Sequence, residues 1–187
     1  MKCLFSLGRI VSSTAFACLL VSGSDARAVE ITYDLISLGG ADYRYEYTVH
    51  NDGSLPGGAP VALFDILFDT TEYDEASLTV VTPAPLSSDW DELILASVFP
   101  DDPATYDAFA LGGGIPSGST DSGFAVEFSW IGAGPSPGDQ PFEIYDPFSF
   151  ALLSRGTTSS EVPEPFTTTS SLLLLSLFGL GLVKRFS

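Results

Sequence analysis

The chain has 187 residues and a net charge of −17, with 24 acidic residues against seven Lys and Arg. The imbalance is larger between residues 29 and 165, where 23 acidic residues face only Arg44 and Arg155, a net charge of −21. Binding to a nucleic-acid backbone needs clustered basic side chains, so this composition excludes nucleic acid as a partner. The same segment is long enough for one domain with a substantial core.

The first 28 residues have the pattern of a signal peptide. A basic start precedes a mainly apolar run from Ile10 to Val21. Ala26 and Ala28 then supply the small residues at alternate positions that signal peptidase recognises. We therefore predict a signal peptide at 1–28 that is cleaved after Ala28.

Both cysteines, Cys3 and Cys18, lie within that leader. The chain after residue 28 therefore has no thiol for a disulfide, a thiolate zinc site or a cysteine nucleophile. Its stability must come from apolar burial, which a domain of this size can supply.

Alternating apolar and polar residues dominate the next part of the chain. From Tyr43 to His50, aromatic or aliphatic side chains occupy every second position, which is typical of a strand with one buried face. A preceding strand at Glu30–Leu38 joins it through Gly39–Gly40, and Asn51–Gly53 has the composition of a turn. The two strands predict a β-hairpin.

Further strand patterns follow, separated by glycine and proline. Trp90–Phe99 is ambiguous, since its apolar residues fit both a helix and a strand. With no long amphipathic helix before the C-terminal tail, the pattern predicts an all-β fold, an antiparallel β-sandwich of seven or eight strands over residues 29–155. The remaining strands are expected at Val61–Phe68, central and covered on both faces, and at Ser77–Thr82, Phe124–Ile131, Phe142–Tyr145 and Phe148–Leu153.

Two segments have the composition of flexible connections. Gly112–Gly114 is predicted to be a turn and not a phosphate-binding loop, because no lysine follows at the required spacing. Residues 156–161 are rich in Ser and Thr and predict a solvated linker after the sandwich.

The last 26 residues, 162–187, have three parts in order. An uncharged segment at 166–183 is the central part, and as a helix its 18 residues reach about 27 Å, close to the hydrocarbon thickness of a bilayer. The basic end favours a cytoplasmic C-terminus, which leaves the rest of the chain outside. The flanking parts are the tripeptide Pro163, Glu164 and Pro165 before the segment, and Lys184 and Arg185 after it.

This order resembles the PEP-CTERM sorting signal of exported bacterial proteins. In that family a membrane-embedded cysteine transpeptidase, the exosortase, recognises the tripeptide and removes the tail, so the resemblance places the reacting bond near Pro163 to Pro165. Tyr43–Val49 and Gln140–Asp146 also resemble a recurring group of PEP-CTERM proteins, which implies no known activity. A plain C-terminal membrane anchor is the alternative for the tail.

The resemblance implies an exported, non-catalytic protein of a Gram-negative bacterium, with exosortase and signal peptidase as its processing partners. Such a protein would enter the inner membrane transiently through the helix at 166–183 and then reside at the cell surface or outside the cell. In the family these proteins are associated with exopolysaccharide and biofilm, so exopolysaccharide is a further expected partner. No cofactor is expected.

An enzymatic function is the first alternative. His50 is the only histidine and ends a strand beside a turn, where an exposed histidine is ordinary, so we assign it no catalytic role. A glycoside hydrolase would need two carboxyl groups a few ångströms apart, for which Glu127 and Glu143 are the candidates. Their convergence in one cleft would favour this hypothesis.

Calcium or sugar binding is the second alternative. Calcium takes six to eight oxygen ligands, and acidic clusters occur at 65–69, 72–75, 89–92 and 101–102, although none follows the EF-hand pattern. Sugars stack on aromatic rings. Trp90 lies among acidic residues and is predicted to be exposed, whereas Trp130 continues a buried face. The candidate rings are Trp90, Trp130, Tyr106 and Tyr145.

Overall fold

The computed structural model describes residues 29–100 and 102–161. The predicted signal peptide, Asp101 and the predicted sorting tail at 162–187 lie outside the described residues. Within them, the chain forms ten strands and three short helical turns. The strands are β1 Val29–Gly39, β2 Asp42–Asn51, β3 Leu63–Phe68, β4 Thr79–Val80, β5 Trp90–Leu95, β6 Ala104–Ala110, β7 Ser119–Ser129, β8 Pro141–Tyr145, β9 Leu152–Thr157 and β10 Ser159–Ser160, and the turns are α1 Leu86–Asp89 and 3-10 turns at Pro56–Gly58 and Glu75–Ser77.

The strands form two five-stranded sheets. The first sheet has the order β10-β1-β2-β7-β4, and the second sheet has the order β5-β6-β3-β8-β9. Neighbouring strands run antiparallel except β1 and β10, which run parallel. The sheets pack on each other around one core, which confirms the predicted β-sandwich, although with ten strands where seven or eight were predicted.

Aromatic side chains fill the space between the sheets. Tyr45 and Tyr47 on β2 and Phe124 and Phe128 on β7 are buried, as the alternation predicted. Phe64 on β3 meets Phe124 edge-on from the other sheet, with ring centroids 5.1 Å apart. Each such ring removes a large apolar area from water and gains a further edge-to-face attraction.

A polar network lies inside this aromatic core, centred on the buried Gln140. The Tyr47 hydroxyl donates to Oε1 of Gln140 at 3.2 Å, and Nε2 of Gln140 donates to the hydroxyls of Tyr45 and Tyr73 at 2.6 and 2.9 Å. The backbone N–H of Gln140 donates to the Thr158 hydroxyl at 2.8 Å. Buried polar atoms need such partners, so Gln140 allows three tyrosines to be buried in one layer.

The C-terminal edge of the sandwich differs from the prediction. The predicted linker at 156–161 belongs to the folded domain, because β9 continues to Thr157 and β10 pairs with β1. Thr158 is buried, and the N–H of Glu161 donates to the Tyr33 carbonyl at 3.0 Å. The composition rich in Ser and Thr misled the prediction, because threonine is also well suited to strands.

Other strand boundaries also differ from the prediction. The predicted strand at Ser77–Thr82 is only the two-residue β4, and the predicted strand at Phe148–Leu153 begins at Leu152, after a turn. The ambiguous segment Trp90–Phe99 contains β5, and β3 is central but half-exposed at Asp65 on its outer side. The sequence prediction missed β6 altogether.

Candidate ligand-binding cleft

One row of side chains crosses the outer face of the second sheet. Residues directly opposite each other on neighbouring strands project to the same face. Three carboxyl groups therefore stand side by side, with an arginine at the edge of the sheet. Strand pairing sets Leu93 opposite Asp107, Asp107 opposite Asp65, Asp65 opposite Glu143, and Glu143 opposite Arg155.

The central pair, Asp65 and Asp107, brings two acidic groups together in a partly buried setting. Burial is the main cause that raises the pKa of Asp65 to about 7, followed by its hydrogen bond to Asp107 and the negative charges of Asp107 and Glu143. Burial also raises the pKa of Asp107, as does the charge of Asp91, whereas the hydrogen bond from Asp65 lowers it. The two carboxyl groups therefore titrate as a coupled pair, and the pKa of Asp65 lies near neutral pH.

A cleft of about 330 Å³ lies over this pair. Its wall combines aromatic rings with carboxyl groups, and none of the lining residues that the structure describes carries a positive charge. A concave site that combines apolar side chains with polar groups, next to a group with a shifted pKa, is typical of a small-ligand site. The lining residues are Leu63, Asp65, Asp91, Asp107, Phe109, Tyr145 and Phe150.

The turn between β8 and β9 holds one wall of the cleft in place. Oδ1 of Asp146 accepts the N–H groups of Phe148 and Ser149 at 3.1 and 2.7 Å, and the N–H of Phe150 donates to the Asp146 carbonyl at 2.9 Å. Phe150 adopts φ +55°, a left-handed conformation that is uncommon for a residue with a bulky side chain. The turn presents the Phe150 ring with 68% of its surface exposed.

Tyr145 is fixed from within the same sheet. Its hydroxyl donates to Oε2 of Glu143, and this hydrogen bond is the main cause that raises the pKa of Tyr145 to about 12, with burial and the Glu143 charge adding to it. The phenol therefore stays neutral and its oxygen is engaged beside Glu143.

The two carboxyl groups predicted for a hydrolase do not meet. Glu127 lies on β7 between the buried Val126 and Phe128, so it projects from the outer face of the first sheet, where Arg44 donates to it at 3.2 Å. Glu143 projects from the outer face of the second sheet. Because the whole sandwich separates them, they cannot act together on one glycosidic bond.

The predicted sugar platform is also not assembled. Trp90 begins β5 with its ring turned into the core and only 4% exposed, which corrects the expectation of an exposed tryptophan. Tyr106 is fully buried and Trp130 is partly buried. Of the four predicted rings, Tyr145 alone lines the cleft.

The acidic clusters proposed for calcium are largely engaged elsewhere. Asp69 accepts the N–H and hydroxyl of Thr71, and Glu75 accepts the N–H and hydroxyl of Ser97. Glu92 accepts the Thr82 hydroxyl at 2.6 Å. Across residues 29–100 and 102–161, no three carboxylate or imidazole groups are placed to hold a metal ion together.

The other predicted site residues lie away from the cleft or outside the described residues. Nδ1 of His50 lies 2.8 Å from the Thr120 hydroxyl on the outer face of the first sheet, away from the cleft. The signal-peptidase residues Ala26 and Ala28 lie outside the described residues, as does the sorting motif. In the part of the chain that the structure describes, no helix has the length and apolar character needed to span a membrane.

Sequence reasoning missed most of the cleft because it missed β6. Asp107 and Phe109 lie on that strand, and Phe150 lies in a turn that was predicted as strand. A signal was present, since Ala104, Tyr106, Ala108 and Ala110 occupy alternate positions. Alanine is a poor strand former, and this obscured the period of two.

Comparison with known proteins finds only distant similarities. No family model matches the chain, and no curated protein matches it. Among solved structures, it is similar to a cohesin module of a family 33 glycoside hydrolase from Clostridium perfringens, at 13% identity and a TM-score of 0.39, over 72% of this chain and 99% of that one. A type II cohesin domain from the cellulosome of Acetivibrio cellulolyticus matches at 11% identity and a TM-score of 0.35, over 71% and 84% of the two chains.

A third similar structure is much larger. It is a GH20 exo-β-N-acetylglucosaminidase from Vibrio harveyi, with 12% identity and a TM-score of 0.36 over 71% of this chain. The chain spans only 18% of the length of that enzyme. Similarities this distant carry no conclusion about activity or partners.

Proposed function

We propose that this chain is an exported, non-catalytic cell-surface or extracellular-matrix protein whose tail is processed by an exosortase. The proposal rests on the order of the segments along the chain. A leader with a signal-peptidase site at Ala26 and Ala28 precedes one acidic sandwich, and the tripeptide at 163–165, the uncharged segment and the basic end follow it.

The observation that carries the proposal is how closely the sandwich and the motif adjoin. The domain continues through β10, and Glu161 still binds β1, since its Oε1 accepts the Thr32 hydroxyl at 3.0 Å. Pro163 follows two residues later. A folded domain joined so directly to a sorting signal would be released or re-anchored whole by cleavage near Pro163 to Pro165.

A non-catalytic role is supported by the position of the candidate acids. Glu127 and Glu143 lie on opposite faces, and His50 lies away from the cleft. The net charge of −21 between residues 29 and 165 suits a soluble, self-repelling surface protein. In this proposal the processing partners are signal peptidase and exosortase, the inner membrane is a transient location, and exopolysaccharide is the surrounding material.

A matched pair of glutamate variants tests the proposal. Glu164→Ala alters the predicted motif, whereas Glu30→Ala alters an exposed glutamate on β1. We expect Glu164→Ala to accumulate with the inner membrane and Glu30→Ala to reach the surface or medium like the parent, as measured by cell fractionation. Equal distribution of both variants and the parent would overturn the exosortase proposal and favour a plain anchor.

A further inference from the structure

We propose that the cleft on the second sheet binds a small organic ammonium ion, with Phe109 and Phe150 contacting its alkyl part and Asp91, Asp65 and Asp107 receiving its charge. This proposal is independent of how the tail is processed. It rests on the lining of the cleft, on the exposure of its rings and on one buried oxygen atom.

The negative charge of the lining residues favours a cationic ligand. Three aspartates line the cleft, and Glu143 follows Asp65 in the row beneath it. Arg155 lies beyond Glu143 on the exposed edge strand and is not a lining residue. A carboxylate, sulfate or phosphate ligand would meet like charges here, whereas an ammonium group would meet opposite ones.

The aromatic rings that line the cleft favour an organic cation over a metal ion. The faces of Phe and Tyr attract ammonium groups and pack against the methylene groups attached to them. Phe109 is 36% exposed and Phe150 is 68% exposed, although both are large apolar side chains. A metal ion would instead need several oxygen ligands converging on one point. Among the described residues no three acidic groups are arranged in that way.

One oxygen atom beneath the cleft lacks a donor. Oδ1 of Asp65 is buried and has no hydrogen-bond partner among the described residues. Buried carboxyl oxygens are normally paired, and an unpaired one needs an explanation. When Asp65 is ionised, its charge therefore lies beneath the cleft without a compensating donor. An ammonium group in the cleft would place a positive charge above it and supply up to three N–H donors to Asp91 and Asp107, while the rings cover its remaining side.

The test uses 1,5-diaminopentane as the probe and 1,5-pentanediol as a neutral probe of similar shape. Isothermal titration of the full-length chain in an uncharged detergent should show saturable 1:1 binding of the diamine and none of the diol. A blocked lysine amide forms a second arm, because tighter binding of that compound would identify a lysine side chain as the source of the ammonium group.

Matched variants locate the site. Asp91→Asn and Phe150→Ala should each weaken diamine binding by about threefold or more. Phe148→Ala removes a ring that is 91% exposed in the same turn but does not line the cleft, and Asp34→Asn removes an exposed charge from the first sheet. Both control variants should bind like the parent.

Three results would overturn the proposal. The first is absence of saturable diamine binding at millimolar concentration, and the second is equal binding of the diol. The third is that the control variants weaken diamine binding as much as the cleft variants do, because binding would then reflect only the general attraction of a cation to an acidic protein.

Discussion

Asp65 and Asp107 lie directly opposite each other on neighbouring strands of the second sheet, and burial is the main cause that raises the pKa of Asp65 to about 7. Two acids placed in this way weaken the fold once both are ionised, because like charges repel more strongly in a partly buried site than in water. Because this pair lies under an open cleft, its ionisation should affect both the stability of the protein and the binding of a ligand.

The pair predicts how stability changes with pH. Asp65 has a higher pKa in the folded state than its ordinary value of 3.8, so the folded chain holds its proton longer. The contribution of Asp65 to the free energy of unfolding is therefore fully present below about pH 4 and is lost as pH rises through about 7. Asp65→Asn should flatten this dependence and stabilise the protein at pH 8 by about 1 kcal/mol, after allowance for screening by solvent.

Thermal unfolding at pH 5 and pH 8 measures this effect, with Asp34→Asn as the control. The control should show the same fall between the two pH values as the parent. If the stability of Asp65→Asn fell to the same extent between these pH values, the raised pKa of Asp65 would be refuted.

Binding of an ammonium ion should have the opposite dependence on pH. A bound cation favours the ionised form of Asp65, so the diamine should bind several-fold more tightly at pH 8 than at pH 6. The groups facing Asp65 are Asp107 on β6, Asp91 on β5, Glu143 with the neutral Tyr145 on β8, and Arg155 on β9. In titrations at both pH values, Asp65→Asn should remove most of the difference and Phe150→Ala should keep it. If the ratio of diamine affinities at pH 8 and pH 6 were the same in Asp65→Asn as in the parent, the pH dependence would belong to another group.

The polar network around Gln140 should contribute strongly to the stability of the fold. Gln140→Leu leaves the buried hydroxyls of Tyr45, Tyr47 and Tyr73 without their shared partner, which should lower the free energy of unfolding by about 2–4 kcal/mol. Urea unfolding measures the loss, and Thr157→Ala, an exposed site nearby, should change little. A loss below about 0.5 kcal/mol for Gln140→Leu would mean that the hydroxyls find other partners.

Two neighbouring glycines should respond differently to the same substitution. A Cβ on Gly114 would lie 2.3 Å from the Val61 carbonyl oxygen, and its φ of +67° is already unfavourable for alanine. Gly113 has open space around its Cα. Gly114→Ala should therefore destabilise the protein by about 2 kcal/mol or more in urea unfolding, whereas Gly113→Ala should be nearly neutral. Equal effects would contradict the packing of this loop against Val61.

The sequence predicted the sandwich well where large side chains alternate. The hairpin of β1 and β2 and the aromatic face of β7 followed directly from a period of two, because burial of one sheet face imposes that spacing. Prediction failed where composition and packing conflict. The alanines of β6 look weak in isolation but fit opposite the large rings of the core, and Trp90 lies among acidic residues yet takes an inward position on β5.

The cleft was harder to predict because it depends on register. No local pattern indicates that Asp65, Asp107 and Glu143 will stand in one row, since they come from three strands that are distant in sequence. Phe150 reaches the cleft only through a left-handed turn that Asp146 stabilises. Such relationships arise from tertiary pairing and not from composition.

The most direct test of the account is the intact mass of the protein recovered from its native envelope, with and without the exosortase. We predict a chain that begins after Ala28 and ends near Pro163 to Pro165 when the exosortase is present, and a chain that continues to Ser187 when it is absent. A chain ending at Ser187 in both strains would contradict the sorting proposal and identify the tail as an ordinary inner-membrane anchor.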